Sequence, residues 1–199
     1  MRAFDEHEIR VIDGFLADDE CSAIIDELGC AFWQHSLTYQ QQSNGRYHNV
    51  ITAMRVSETA HEEWFSPELR AILQGIEERL HRLFGVDACD LEPWQATDYA
   101  PNGRFDYHLD AGYWQEHHAG DRILTFLLYL NTPVRGGGTH FRALDRYIEA
   151  ETGRLLVWNN LFANGDCNHR MIHSGAPVLA GRKITLVSWQ RQKRFRKAR

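Results

Sequence analysis

The chain of 199 residues is 43% hydrophobic and 25% charged, a globular composition with room for one domain and little for a second. Its net charge of −5 argues against a general nucleic-acid binder, which carries positive charge across a folded face. No apolar run reaches the roughly 20 residues of a membrane helix, the N-terminus lacks a secretory core, and Cys21, Cys30, Cys89 and Cys167 form no CxxC pair, so a cytoplasmic protein with reduced thiols is expected.

Ile9 to Leu16 alternates weakly and reads as a short strand. Asp18 is placed to cap a helix through about Leu28, with Gly29 as its stop. Residues 31–50 are polar, with an exposed loop at QQQSNG, and Val50 to Ser57 reads as a strand. The clearest helix starts at Ser66–Pro67, a cap followed by proline. Leu69, Ile72, Leu73, Ile76, Leu80 and Leu83 then fall on one face, and Gly85 ends it. Beyond Gly85 the segments 91–99, 104–110, 122–130, 138–142, 154–158, 170–174 and 182–190 read as strands separated by turn chemistry. Residues 191–199 carry six cationic side chains and leave the preceding 190 residues at −11. That end reads first as a solvated tail and second as a segment touching an acidic partner or the protein's own acidic surface. One domain over 1–199 is expected: a helical support region (1–88), a barrel or jelly-roll core (89–191) and a basic tail (192–199).

His108 and Asp110 lie two apart on a predicted strand and so share a face, from which an imidazole and a carboxylate can converge on one metal ion. An HxD pair alone is more often polar surface. His173, between Met171–Ile172 and a turn, is the candidate third ligand on a later strand. Two histidines and one carboxylate make the facial triad of non-haem Fe(II) oxygenases. His169 competes from a more polar stretch, and a zinc site from Cys167, His169 and His140 is a weaker alternative. On 182–190, Ile184 and Leu186 share one face, and Lys183, Thr185 and Val187 the other. Lysine and threonine side by side can hold a carboxylate; a solvent-facing edge strand is the plainer reading of that strand alone.

Several motifs in order resemble one family. Tyr99 precedes GRFDYHLD; RILTFLLYLN (122–131), GGGTHF (136–141) and GRLLVWNN (153–160) follow; His173 opens HSGAPV, and Lys183 falls ten residues on. Over about residues 90–191 the chain is similar to the Fe(II)/2-oxoglutarate-dependent dioxygenases of the prolyl 4-hydroxylase-like branch. The resemblance implies a mainly β fold with N-terminal helices: a double-stranded β-helix, or jelly roll, flanked by packing helices. It implies Fe(II) on His108, Asp110 and His173. It also implies 2-oxoglutarate on Lys183 with Thr185 and the Tyr99 hydroxyl, O2 as co-reactant, and ascorbate as a candidate reductant. Asp110 separates the chain from the related halogenases, which lack that carboxylate. Trp114, His117 and His118 fall where a substrate loop would lie. The function expected is hydroxylation of an unactivated C–H, first of a prolyl residue in a peptide or protein. The alternatives are a free amino acid or other small metabolite as substrate, and a non-catalytic metal-retaining jelly-roll module. A nucleic-acid demethylase is favoured by the tail alone.

Overall fold

The computed structural model of the chain describes residues 8–41 and 47–197. Its N-terminal part contains β1 (Ile9–Ile12), α1 (Asp18–Leu28), β2 (Gln34–His35), β3 (Thr38–Gln41), β4 (Tyr47–Val50), β5 (Arg55–Val56), β6 (Glu58–His61) and α2 (Pro67–Phe84). The remainder contains β7 (Gln95–Tyr99), β8 (Arg104–His108), β9 (Arg122–Tyr129), β10 (Arg135–Gly136), β11 (Thr139–Phe141) and β12 (Arg146–Ile148). It closes with β13 (Leu155–Asn159), β14 (His173–Gly175), β15 (Val178–Ala180) and β16 (Lys183–Arg191).

Two antiparallel sheets form the core. The larger runs β1-β13-β9-β16-β7-β6-β2 and the smaller β12-β11-β14-β8-β5. Strand alternation divides the larger sheet into two faces. Leu124, Phe126, Leu128, Leu155, Val157, Ile184 and Leu186 pack on the apolar stripes of the helices, including Ile24, Leu28, Leu69, Leu73, Ile76 and Leu80. Between the sheets, Tyr129, Leu156 and Trp158 meet Phe141, Ile148 and Met171. This is the jelly roll with outer helices that the motifs imply.

The helix signals act much as read. Ser66 Oγ accepts from the Leu69 amide at 3.0 Å, Pro67 follows, and Gly85 closes α2 at φ 71° with its N–H on the His81 carbonyl. At α1 the cap is Ala17, and Asp18 is the first helical residue. The Glu20 carboxylate does the capping, accepting from the Ala17 amide at 2.9 Å. Gly29 keeps right-handed backbone (φ −59°), and Trp33 Nε1 instead satisfies the Leu28 carbonyl at 3.0 Å.

Other boundaries move. The predicted strand at 9–16 stops at Ile12, where the chain turns through Asp13 and Gly14. The predicted strand at 50–57 is broken by a turn in which the Arg55 amide reaches the Thr52 carbonyl. The polar stretch 31–50 holds three strands, with β3 and β4 forming a separate two-stranded ribbon. The loop expected at QQQSNG lies largely outside the described residues. Residues 8–88 are therefore more than helical support: β1, β2 and β6 extend the large sheet and β5 edges the small one. The strand read at 91–99 starts at Gln95, after Pro93, which has no amide to donate. The strand read at 170–174 starts at His173, after a 3-10 turn capped by Asn168. APVLAG, read as a turn, includes β15, which pairs with β10.

The basic end is solvated only in part: Lys193, Arg194 and Lys197 are exposed, whereas Arg191 and Arg196 turn inward. Arg191 is buried, with Nη1 on Glu92 at 2.9 Å. Arg196 reaches Glu77 at 2.7 Å and Glu62 at 2.9 Å. The protein's own carboxylates draw the segment back onto the body.

Candidate metal centre and cosubstrate cavity

β8 ends at His108 and β14 begins at His173, and antiparallel pairing sets the two residues opposite each other. Asp110 lies just past β8. The ligand atoms of all three lie within 4.8 Å of one another, the one such group of His, Cys, Asp or Glu among the described residues. Asp110 Oδ1 is 3.7 Å from His108 Nε2, and Oδ2 is 3.8 Å from His173 Nε2. Those gaps suit an ion about 2 Å from each donor. His108 Nδ1 lies 2.8 Å from the Asp106 carbonyl, and His173 Nδ1 lies 2.9 Å from the Met171 carbonyl. A carbonyl only accepts, so each Nδ1 carries the proton and each Nε2 turns a lone pair to the centre. Burial, with His173 beside it, pushes the His108 imidazole down to about 3 and keeps it neutral. Burial would raise the Asp110 carboxyl, but the facing histidines, Arg122 and a hydroxyl bond outweigh it and hold it below the usual carboxylate range. The site therefore offers the Nε2 atoms of two imidazoles and one anionic oxygen.

That hydroxyl is Thr125, which sequence reasoning missed. Thr125 Oγ1 donates to Asp110 Oδ2 at 2.7 Å and accepts from Asn160 Nδ2 at 2.8 Å. Thr125 stands on the inward face of β9 and Asn160 follows β13. The available signal was a lone threonine at an inward position of the apolar run 122–130.

Lys183 and Thr185 lie on the inward face of β16, as alternation predicts. With Tyr99 they line a narrow cavity of about 70 Å³ shared with the triad. Lys183 is 2% exposed and meets no carboxylate among the described residues. Its Nζ donates to the Gly137 carbonyl at 2.8 Å and sits 4.1 Å from the Tyr99 ring centroid. Burial pushes its ammonium down to about 7. Gly137 adopts φ 79°, and a Cβ there would stand 3.3 Å from the Lys183 side chain. Arg182 turns away and forms a bidentate pair with Asp98 at 2.6 and 2.7 Å.

Residues 94–191 match the family model of the 2OG-Fe(II) oxygenase superfamily. They belong to that superfamily. Prolyl 4-hydroxylase subunit alpha-1 of Bos taurus is 30% identical over 151 residues, which are 72% of this chain and 28% of that protein. Its Caenorhabditis elegans namesake is 26% identical over 187 residues, covering 89% and 32%. The chain thus spans about a third or less of these curated relatives. In fold it resembles the viral collagen prolyl hydroxylase of Paramecium Bursaria Chlorella virus-1 in its 2OG complex (TM-score 0.70, 24% identity, 92% of this chain and 95% of that one). It also resembles a Pseudomonas putida prolyl-4-hydroxylase (TM-score 0.56, 19% identity, 92% of each).

The superfamily uses Fe(II), 2-oxoglutarate and O2, and the donor set fits them. Two imidazoles and one carboxylate suit non-haem iron and leave coordination positions open. A buried lysine without a carboxylate suits the far end of a dianionic oxo acid. The competing zinc set of Cys167, His169 and His140 does not assemble among the described residues.

An outer cavity of about 650 Å³ opens beside the centre, lined among others by Tyr39, Tyr47, Arg55, Trp114, Arg122 and Trp189. Arg122 lies 3.6 Å from the Trp189 ring centroid and chelates Glu92 at 2.6 and 2.8 Å. Of the three residues expected on a substrate loop, Trp114 lines this cavity. His117 and His118 do not; they stack on Phe195. Their loop is pulled toward the C-terminal segment, a contact between distant residues that local sequence does not signal.

Proposed function

We propose that this chain is an Fe(II)- and 2-oxoglutarate-dependent hydroxylase of a prolyl residue in a peptide. The observation that carries the reading is the His108–Asp110–His173 group facing the same narrow cavity as the buried Lys183, with an aromatic outer cavity alongside. Fe(II), 2-oxoglutarate and O2 together supply an oxidant able to replace an unactivated C–H with C–OH. The chain's own part is placement. His108, Asp110 and His173 would hold the metal, with the histidine tautomers fixed by the Asp106 and Met171 carbonyls. Lys183 would take the distal carboxylate, helped by Thr185 and Tyr99. Phe105, stacked 3.6 Å from the His108 ring, and Trp158, 4.8 Å from the His173 ring, wall the centre and exclude water. Tyr39, Tyr47, Trp114 and Trp189 give the outer cavity the aromatic lining that suits an extended proline-containing segment. The prolyl 4-hydroxylase names among the relatives support the same substrate class.

The test supplies Fe(II), 2-oxoglutarate, O2 and proline-rich peptides to the full chain and follows succinate release and peptide mass. The expected result is one oxygen atom gained per proline modified, lost in His173→Ala. Succinate with free amino acids but not with peptides would move the chain to small-molecule hydroxylases. No succinate with any substrate would leave a metal-retaining binding module.

A further inference from the structure

The ribbon β3–β4 borders the outer cavity without joining either main sheet. A stacked contact ties it to the core loop between Asp110 and β9: the Tyr39 and Trp114 rings lie 4.5 Å apart at 15°. Tyr113 of that loop adds edge contacts to Tyr39 and Tyr47. The loop is in turn held from the opposite side by the C-terminal segment. The amides of Gln192 and Lys193 donate to the Asp121 and Ala119 carbonyls at 3.0 and 2.9 Å, and Gln192 Oε1 accepts from the Asp121 amide at 2.8 Å. Gly120 permits this approach, since a Cβ there would lie 2.5 Å from Gln192 Oε1. The Phe195 ring stacks on His117 at 5.6 Å and 12°, and the Arg191 guanidinium lies 5.2 Å from Trp114 and 5.5 Å from Phe195. His117 Nδ1 accepts from the Ala119 amide, which fixes the ring under Phe195.

We propose that the C-terminal segment positions the roof of the outer cavity, with Phe195 and Arg191 as positioning residues acting through His117 and Trp114 on Tyr39. The continuous run Phe195–His117–Trp114–Tyr39–Tyr47 transmits the position of the chain's end to the ribbon over the cavity. Neither positioning residue touches the metal centre. Loss of the stack therefore loosens substrate capture without disturbing the cosubstrate.

The test compares wild type, Phe195→Ala and Phe195→Tyr as full chains. Phe195 is half-buried, so its truncation leaves the core intact. Amide hydrogen exchange is followed in 34–41 and 47–50, with β9 and β16 as reference. The stack is expected to hold the ribbon enough that its loss speeds exchange there about fivefold to tenfold, with the reference strands unchanged and Phe195→Tyr near wild type. The KM for a prolyl peptide should rise by a similar factor while the KM for 2-oxoglutarate stays put. Unchanged ribbon exchange, or equal acceleration in β9 and β16, would overturn the inference. The peptide readout rests on the prolyl hydroxylase reading; the exchange readout does not. Faster ribbon exchange in a chain that never hydroxylates a peptide upholds the roof and sinks the substrate.

Discussion

His108 and His173 each bond the backbone carbonyl two residues back, Asp106 within β8 and Met171 in the 3-10 turn ahead of β14, so tautomer and ring direction are set by the backbone before any ion binds. Asp110 has no such strand support and leans on Thr125 and Asn160. His108→Ala, Asp110→Ala and His173→Ala should each abolish iron binding and turnover, while His169→Ala, outside the cavity, stays near wild type. Thr125→Val keeps all three ligands and should weaken Fe(II) affinity about tenfold or more, read by anaerobic titration. Lys183→Ala should raise the 2-oxoglutarate Kd at least about 30-fold with Fe(II) binding retained, since losing one partner of a buried charge pair costs at least about 2 kcal/mol. Arg182→Ala should change it little, because that side chain is spent on Asp98 at the rim. Burial puts the free Lys183 ammonium near 7, and a bound carboxylate raises it again. The ammonium is the binding form. Affinity should therefore hold below pH 7 and fall above it, by up to about tenfold per pH unit, with proton uptake on binding measurable by calorimetry in two buffers. The His108–Asp110 pair and the inward face of Lys183 were legible in the sequence from alternation, and His173 from its motif on a later strand. Thr125 and Asn160 were not, because their importance lies in a contact across three separated segments.

Glycines of the two regular-structure contexts behave oppositely. Gly153, at φ 75° ahead of β13, would place a Cβ 2.1 Å from the Leu16 carbonyl oxygen, and its own carbonyl accepts from the Leu16 amide at 3.1 Å. Gly75 lies inside α2 with open space around it. Gly153→Ala should cost more than about 2 kcal/mol of unfolding free energy, through the strained φ and the displaced carbonyl. Gly75→Ala should add up to about 1 kcal/mol by helix propensity. Denaturant unfolding of both variants decides the matter. Element type was legible where periodicity ran long: α2 and the eight-residue β9 stand close to where the pattern places them. The pattern passed over β12 and read the stretches holding β10 and β15 as turns; these are strands of two or three residues whose ladder partners, not their composition, make them strands.

Across the whole molecule, charge separated in sequence is reunited in space. Glu62, Glu77 and Glu92 lie in the first half of the sequence and Arg191 and Arg196 about a hundred residues or more later, yet they form one interlocked set. A composition count sees an acidic body and a basic tail and cannot see the pairing, which is why the tail read as solvated. Arg196→Met would leave the Glu77 carboxylate buried with the Trp94 indole as its remaining donor. That should cost about 3 kcal/mol, or about 6–12 °C in Tm, by thermal unfolding. A chain cut after Gln190 should lose more, so its activity must be measured well below that Tm. The proposed triad has a further consequence at this scale. His108 and His173 belong to the smaller sheet, whereas Asp110 is tethered through Thr125 to the larger one. An ion held by all three is a cross-brace between the two walls of the barrel, and its binding energy is unavailable to the unfolded chain. At a hundredfold excess over Kd, Fe(II) should add about 2.7 kcal/mol to the folded state. Metal loading would then be visible in a melting curve recorded without any substrate, and Thr125→Val, which cuts the tether while sparing every ligand, should shrink that shift.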